Sequence, residues 1–408
     1  LGKHKRNWKK ILLILLILGV SLSLVGVGTY FYGSSDKSLP FKQVRTKEPS
    51  ETPKEHPLKN KILYTKSIIT NEKYTTDTGT ERNSIDTDVY AMNLDGTGET
   101  KIYDFELNES VGLRLSPKNT YLSWIKDDLI NFMRLSISKQ NQTETIGPIE
   151  DIVTFKFSPD ESKLAVVVDR NPNKSSSDES LFEIQIFNIQ GSKKLYGYKS
   201  ISDIDGKNID INNTLVDWLD SNTLILQIKK STEKYIASYS IKNNLELDRI
   251  IVPTDELMGS FWLNQSRDKI AYSKFKEDGT TQLWILGIDG SNPKKVSEFG
   301  AWAINSLAFS PDDKKIALTA NNAEATFFQL INLATGKVVE NRNKTYFAAT
   351  WLPNSESFLV NKGIYVQNIS LVGIDGEVEK DLTSTTIESV TEPKAGEISN
   401  YRLVGFIQ

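Results

Sequence analysis

One motif recurs from residue 61 onward and constrains the fold more than any other feature of the sequence. A large apolar residue leads, a short polar turn follows, and an apolar strand comes after the turn. The copies are Leu115-Ser116-Pro117-Lys118 before YLSWI, Phe157-Ser158-Pro159-Asp160 before KLAVVV, and Trp218-Leu219-Asp220-Ser221 before TLILQI. They continue with Trp262-Leu263-Asn264-Gln265 before KIAYS, Phe309-Ser310-Pro311-Asp312 before KIALTA, and Trp351-Leu352-Pro353-Asn354 before FLV. The steps between leading residues are 42, 61, 44, 47 and 42. A supersecondary unit repeating at this period cannot bury its apolar faces alone and must pack against its own copies.

The turn explains itself chemically. Proline presets φ for the first central position of a β-turn, and Asp or Asn at the next bonds the backbone two residues on. The strand that follows is dense in β-branched and apolar residues, as a strand covered on both faces must be. The leading aromatic would fill space between neighbouring sheets. A second element follows each strand, as in residues 88–98, 182–191, 282–290, 327–336 and 369–376, and closes on a Gly turn. Asp95-Gly96, Asp289-Gly290 and Asp375-Gly376 are hairpin signals.

Strands of the KLAVVV kind lie near Ile62, Tyr121, Leu164, Leu224, Ile270, Ile316 and Phe358, which makes seven. The first, KILYTKS, has no aromatic-turn segment before it. The C-terminal run YRLVGFI, Tyr401 to Ile407, is the natural donor of the missing strand, and pairing the two ends removes exposed sheet edges. The expected fold is therefore all-β: a seven-bladed β-propeller over residues 61–408, after a single N-terminal transmembrane helix. Six or eight blades are the alternatives, because the 61-residue step has room for an irregular blade; a non-propeller β-sandwich array is the third.

The N-terminus reads as an address. Residues 1–10 form a basic tail with Lys3, Lys5, Arg6, Lys9 and Lys10. Residues 11–32 carry no charge, and 22 residues of helix span roughly 33 Å at about 1.5 Å each, close to a bilayer's hydrocarbon thickness. Trp8 flanks one end; Tyr30 and Tyr32 flank the other, as an aromatic belt does. The positive-inside rule places the tail in the cytoplasm and the rest outside. A cleaved signal peptide is the rival reading, but its apolar region is shorter and ends at an A-x-A-like site. Residues 33–60 hold Pro40, Pro49, Pro53 and Pro57 among polar residues, the composition of an extended linker. The expected address is a single-pass cell-membrane protein that contacts lipid through residues 11–32 and has an extracytoplasmic propeller.

Composition removes several activities. There is no Cys, hence no disulfide, thiolate nucleophile or Cys-bound zinc, and the two His, His4 and His56, precede the repeats. A His-based triad or His metal site in the propeller is thereby excluded. The net charge of −3 gives no field for nucleic acid.

The repeats resemble the TolB-type propeller repeat, also called the WD40-like PD40 repeat: an apolar residue, S-P-D-G, I-A-F, and later D-I-Y-V-M-D-x-D-G. Residues 157–160 and 309–312 match the first half, and Asp88-Val89-Tyr90-Ala91-Met92-Asn93-Leu94-Asp95-Gly96 matches the second. The resemblance covers nearly all of residues 61–408 and implies the fold and a role in binding envelope proteins. Glu161 and Asp313 stand where the family has Gly after S-P-D, and the α/β domain that precedes the TolB propeller is not expected here. Propellers of this type also precede the catalytic half of prolyl oligopeptidase-like peptidases, and that half is likewise not expected.

Candidate chemistry is sparse. Residues 203–210, DIDGKNID, resemble a calcium loop but fail the spacing: with Gly206 at position 6, position 1 is Ile201 and position 12 is Asn212. A polar turn is the better reading, and no metal or cofactor is expected. Residues 277–284 resemble a sialidase Asp-box with the wrong spacing. Trp302 and Tyr346 lie just before inward strands, where exposed aromatics would anchor a partner at the channel mouth; packing between blades is the alternative. The expected function is a non-enzymatic binding or scaffold module for an envelope protein, peptide or glycan. The competing class is an extracellular glycoside or peptide hydrolase built on propeller carboxylates.

Overall fold

A computed structural model describes residues 58–408 apart from 76–78, 80, 106–111, 136–142, 172–180, 199, 203–207, 211–215, 231–232, 243–244, 253–257, 301–302, 322–325, 342–345, 364–366 and 387–393. The expected tail, span and linker up to residue 57, with Trp8, Lys9, Lys10, Tyr30 and Tyr32, lie outside the described residues, as does Trp302. Among the described residues no helix is long and apolar enough to cross a membrane.

The described strands form seven four-stranded antiparallel sheets, the blades of a seven-bladed β-propeller. Blade 2 comprises Arg114–Leu115, Tyr121–Lys126, Leu129–Arg134 and Thr143–Ile146. Blade 3 comprises Ile152–Phe157, Lys163–Asp169, Phe182–Asn188 and Lys193–Tyr198. Blades 4, 5, 6 and 7 follow with inner strands Val216–Asp220, Met258–Leu263, Ala303–Phe309 and Tyr346–Trp351. Each of these is the first strand of its blade, followed by three more in sequence order.

Blade 1 closes the ring. Its inner strand is the C-terminal Ile398–Ile407, paired to Lys61–Thr75 with Ile62 opposite Phe406 and Lys66 opposite Tyr401. Glu81–Asn93 and Thr100–Tyr103 complete the blade. The donor strand expected from the sequence is therefore in place. The seam with blade 7 is tied by side chains: buried Asn361 accepts from the Leu403 amide at 2.8 Å, and Asn400 accepts from the Gln367 amide at 3.0 Å.

Why these residues form blades follows from burial. Lys163–Asp169 is buried at every interior position because both its faces meet other blades, whereas Lys193–Tyr198 at the outer edge is exposed except at Tyr198. The apolar core is split into seven clusters, one at each seam between adjacent blades. At the closing seam, Leu359 and Ile369 of blade 7 pack with Ile62, Tyr64 and Phe406 of blade 1.

Among the described residues, the 61-residue step holds no eighth blade. It carries a two-stranded hairpin, Ser200–Ser202 with Asn208–Asp210, between blades 3 and 4.

The Ser-Pro-Asp turns work as written. Ser158 Oγ accepts from the Lys163 amide at 2.9 Å and donates to Asp160 Oδ1 at 2.7 Å. Ser310 repeats both bonds with Lys315 and Asp312 at 2.9 and 2.6 Å. The next residue has left-handed backbone in five blades: φ is 59° at Asn119, 62° at Glu161, 59° at Arg267, 55° at Asp313 and 57° at Ser355. Glycine adopts this conformation without strain, and a residue with a Cβ does not. Here the side chains cross to the preceding blade. Glu161 accepts from the Lys118 amide at 2.7 Å, Asp313 from the Gln265 and Ser266 amides at 2.8 and 3.0 Å, and Ser355 Oγ from the Asp312 amide at 3.2 Å. Strain at these three turns is thus coupled to a latch between blades.

Candidate functional site

Register along the inner strands defines the site. The leading residue of the repeat pairs into the second strand: Leu115 with Leu122, Phe157 with Leu164, Phe309 with Ile316 and Trp351 with Phe358. In blade 5 the residue that pairs in this way, with Ile270, is Leu263, and Arg267 is its left-handed turn residue. Trp262, which the spacing of the repeats assigns as leading residue, therefore sits one place earlier. Strand side chains alternate, so this shift turns Trp262 to the other face.

The two faces have different duties. Leading residues reach back: the Trp218 indole donates to the Lys156 carbonyl at 3.0 Å, and the Trp351 indole to the Ala308 carbonyl at 3.0 Å. Trp218 is 0% exposed and Trp351 5%. The residue just before the leading one leans toward the following blade. Around the ring this position holds Arg114, Lys156, Asp217, Trp262, Ala308 and Thr350, with Gly405 beside Phe406 in blade 1. Where the repeats build seams they agree in chemistry; at this one position they do not.

Three members of this layer, Lys156, Asp217 and Trp262, line a cavity of about 350 Å³ on the inner strands of blades 3, 4 and 5. Thr154 adds a hydroxyl, and Val153, Val216 and Phe261 supply apolar wall. Lys156 Nζ faces Asp217 Oδ2 at 3.9 Å; their side chains are 47% and 26% exposed. Asp217 Oδ1 accepts from the Trp218 amide at 2.7 Å and lies 3.6 Å from the Arg267 guanidinium. Arg267 also donates to the Trp218 carbonyl. Arg114 donates to Thr154 Oγ1 at 3.0 Å and to the Phe155 carbonyl at 2.5 Å, and stacks 4.9 Å above the Phe155 ring. Burial lowers the pKa of the Arg114 guanidinium from its ordinary value. Two cations, Lys156 and Arg267, thus flank one carboxylate, in a chain whose net charge is −3.

Other candidates carry less. A second cavity, of about 530 Å³, lies between turns of blades 5 and 6. Its carboxylates are already engaged: Asp289 accepts from the Ser291 amide at 3.0 Å, Asp268 from Asn264 and Ser266, and Asp313 holds the latch described above. Among the described residues no group of three or more His, Cys, Asp or Glu is placed to hold a metal. The described inner strands carry two acids, Asp217 and Asp220, and Asp220 caps its turn by accepting from the Asn222 amide at 2.7 Å.

Of the aromatics singled out in the sequence, Tyr346 is 1% exposed and packs edge-on against Phe328 at 5.2 Å, in the seam between blades 6 and 7. It is a packing residue and not a rim anchor, because its strand position faces the neighbouring blade. Trp302 is not among the described residues. Lys156, Asp217 and Trp262 were missed. Their signal was present as the place where aligned repeats diverge, but it needed the blade 5 register to be read.

The fold has solved counterparts. The β-propeller domain of the Trilobed protease from Pyrococcus furiosus overlays 80% of this chain and 92% of its own at a TM-score of 0.52 and 12% identity. An acylaminoacyl peptidase from Pyrococcus horikoshii overlays 80% of this chain and 51% of its own at 0.52 and 13% identity. These likenesses establish the fold alone. In sequence, the Tricorn protease homolog of Saccharolobus solfataricus is 31% identical over 104 residues, a quarter of this chain; that match spans about a tenth of the relative's length. No family model matches the chain.

Proposed function

We propose that this chain is a membrane-tethered, extracytoplasmic β-propeller that binds an envelope partner, protein, peptide or glycan, at its channel and does no covalent chemistry there. The observation that carries the binding reading is the grouping of Thr154, Lys156, Asp217 and Trp262. It places charged, hydroxylated and aromatic groups around one cavity, the composition of a recognition site. The address rests on the sequence: an uncharged stretch of 22 residues preceded by a basic cluster.

The hydrolase reading needs two carboxylates facing one another across a cleft, about 5–9.5 Å apart for a glycosidase. The inner strands bring one carboxylate, Asp217, to the cavity, and it is flanked by cations.

The test is crosslinking in intact envelopes with the full chain as bait, comparing wild type with Lys156→Met. Recovery of a partner that the substitution loses supports the reading. Recovery of no specific partner, together with turnover of sugar or peptide by the purified chain, overturns it.

A further inference from the structure

The cavity on blades 3 to 5 differs from the rest of the ring in what its side chains leave open. Trp218 and Trp351 commit their indole N–H groups to carbonyls of the preceding blade. Trp262 has no such acceptor among the described residues; its half-buried side chain packs against the apolar cluster of blades 5 and 6 and also lines the cavity. Lys156 Nζ and Asp217 Oδ2, at 3.9 Å, are attracted but too far apart to bond directly.

We propose that this cavity binds one acidic pyranose residue of a glycan, its ring against Trp262 and a hydroxyl bridging Lys156 and Asp217. The inference rests on the binding reading above and names the ligand for the same site. A hydroxyl both donates and accepts, so one atom between the two charges satisfies both: it gives its hydrogen to Asp217 Oδ2 and takes one from Lys156 Nζ. An amide N–H or carbonyl has one of these roles and leaves the other charge unmet. The C–H face of a pyranose is apolar and flat, and Trp262 supplies a flat apolar partner with Phe261 and Val216 beside it. The volume, about 350 Å³, falls at the small end of the roughly 300–1,000 Å³ range of small-ligand sites. The charge decides between neutral and acidic sugars. Lys156 and Arg267, the two cations beside Asp217, outnumber it, and a ligand carboxylate offsets that excess. A peptide strand would instead use the backbone rungs of an inner-strand edge, whereas this cavity presents side chains.

The test uses the full chain in detergent. Three probes are titrated by calorimetry and tryptophan fluorescence: a mannuronate hexamer, its methyl ester, and hexaglutamate. Thermal melts by circular dichroism confirm that each variant is folded. The acid hexamer binds and changes the fluorescence, and the change is absent in Trp262→Phe. Lys156→Met weakens binding tenfold or more, as does esterification, and Lys156→Gln does the same if the Met variant fails to fold. Lys337→Gln, on an outer turn of blade 6, removes the same charge and changes binding less than twofold. Equal binding of hexaglutamate, equal binding of the ester, or binding without a Trp262 signal overturns the inference. Binding of none of the sugars overturns it as well. If that occurs while crosslinking still retrieves a Lys156-dependent partner, the ligand assignment falls and the binding reading stands.

Discussion

Asp313 separates the strain of the turns from the latch that offsets it. Its backbone is left-handed at φ 55°, and its carboxylate accepts from the Gln265 and Ser266 amides at 2.8 and 3.0 Å and from Asn264 Nδ2 at 2.9 Å. Both turns are partly exposed, so each bond sits near the low end of the usual net range, and the three together contribute about 2 kcal/mol. The left-handed backbone costs a non-glycine residue about 1 kcal/mol. Asp313→Ala loses the bonds and keeps the strain, and should destabilise by about 2 kcal/mol. Asp313→Gly loses the bonds and releases the strain, and should destabilise by about 1 kcal/mol. Urea unfolding followed by circular dichroism reads both values from the midpoint and slope. A glycine variant at least as stable as wild type would refute the reasoning, since the latch would then contribute nothing and the departure from Gly would have no energetic role.

Three other outcomes follow from the same geometry. Gly405→Ala places a Cβ 2.5 Å from Leu115 Cδ1 at the seam between blades 1 and 2, and overpacking of this kind costs about 1–3 kcal/mol in the same urea assay. Asn361→Ala leaves the buried Leu403 amide without its acceptor and should cost about 1–3 kcal/mol; a loss below a few tenths would mean that the seam does not depend on this bond. Acid should loosen the turn face. Burial pushes Asp160 and Asp312 up, but hydroxyl and amide donors outweigh it and hold both below the ordinary carboxylate pKa; Ser266 and Asn264 do the same for Asp268. Groups held down in this way stabilise the fold above their unfolded pKa of about 4, and that stability is lost as pH falls through the lower folded values. Urea midpoints should therefore decline from pH 5 to pH 2, and flat midpoints would contradict the assignment.

How much of this was legible in the sequence depended on whether a feature was local. The seven blades were legible because Ser-Pro-Asp turns and the strands after them are local signals. The closing strand was legible because KILYTKS lacked an inner partner and YRLVGFI lacked a use. Blade 5 misled because Trp262 and Leu263 are adjacent and both apolar, and alternation alone does not say which one leads. The left-handed Arg267, visible only in backbone geometry, settles the register. The replacement of Gly by Glu161 and Asp313 was plain, yet its role was not, because the bonded partners lie in another repeat. The long step between Phe157 and Trp218 contains a hairpin of two short polar strands that no apolar pattern announces. Lys156 and Asp217 looked like ordinary charged strand residues until the ring set them side by side.

The most direct measurement is hydroxyl-radical footprinting of the full chain in intact envelopes and after purification, read at two side chains. Trp262 lies at the channel cavity, and Tyr196 is 41% exposed on the outer strand of blade 3. Protection of Trp262 in the envelope and its loss on purification, with Tyr196 equally reactive in both, is the predicted result. Equal reactivity of Trp262 in both preparations, or protection confined to Tyr196, would place the partner elsewhere and contradict the channel-wall site.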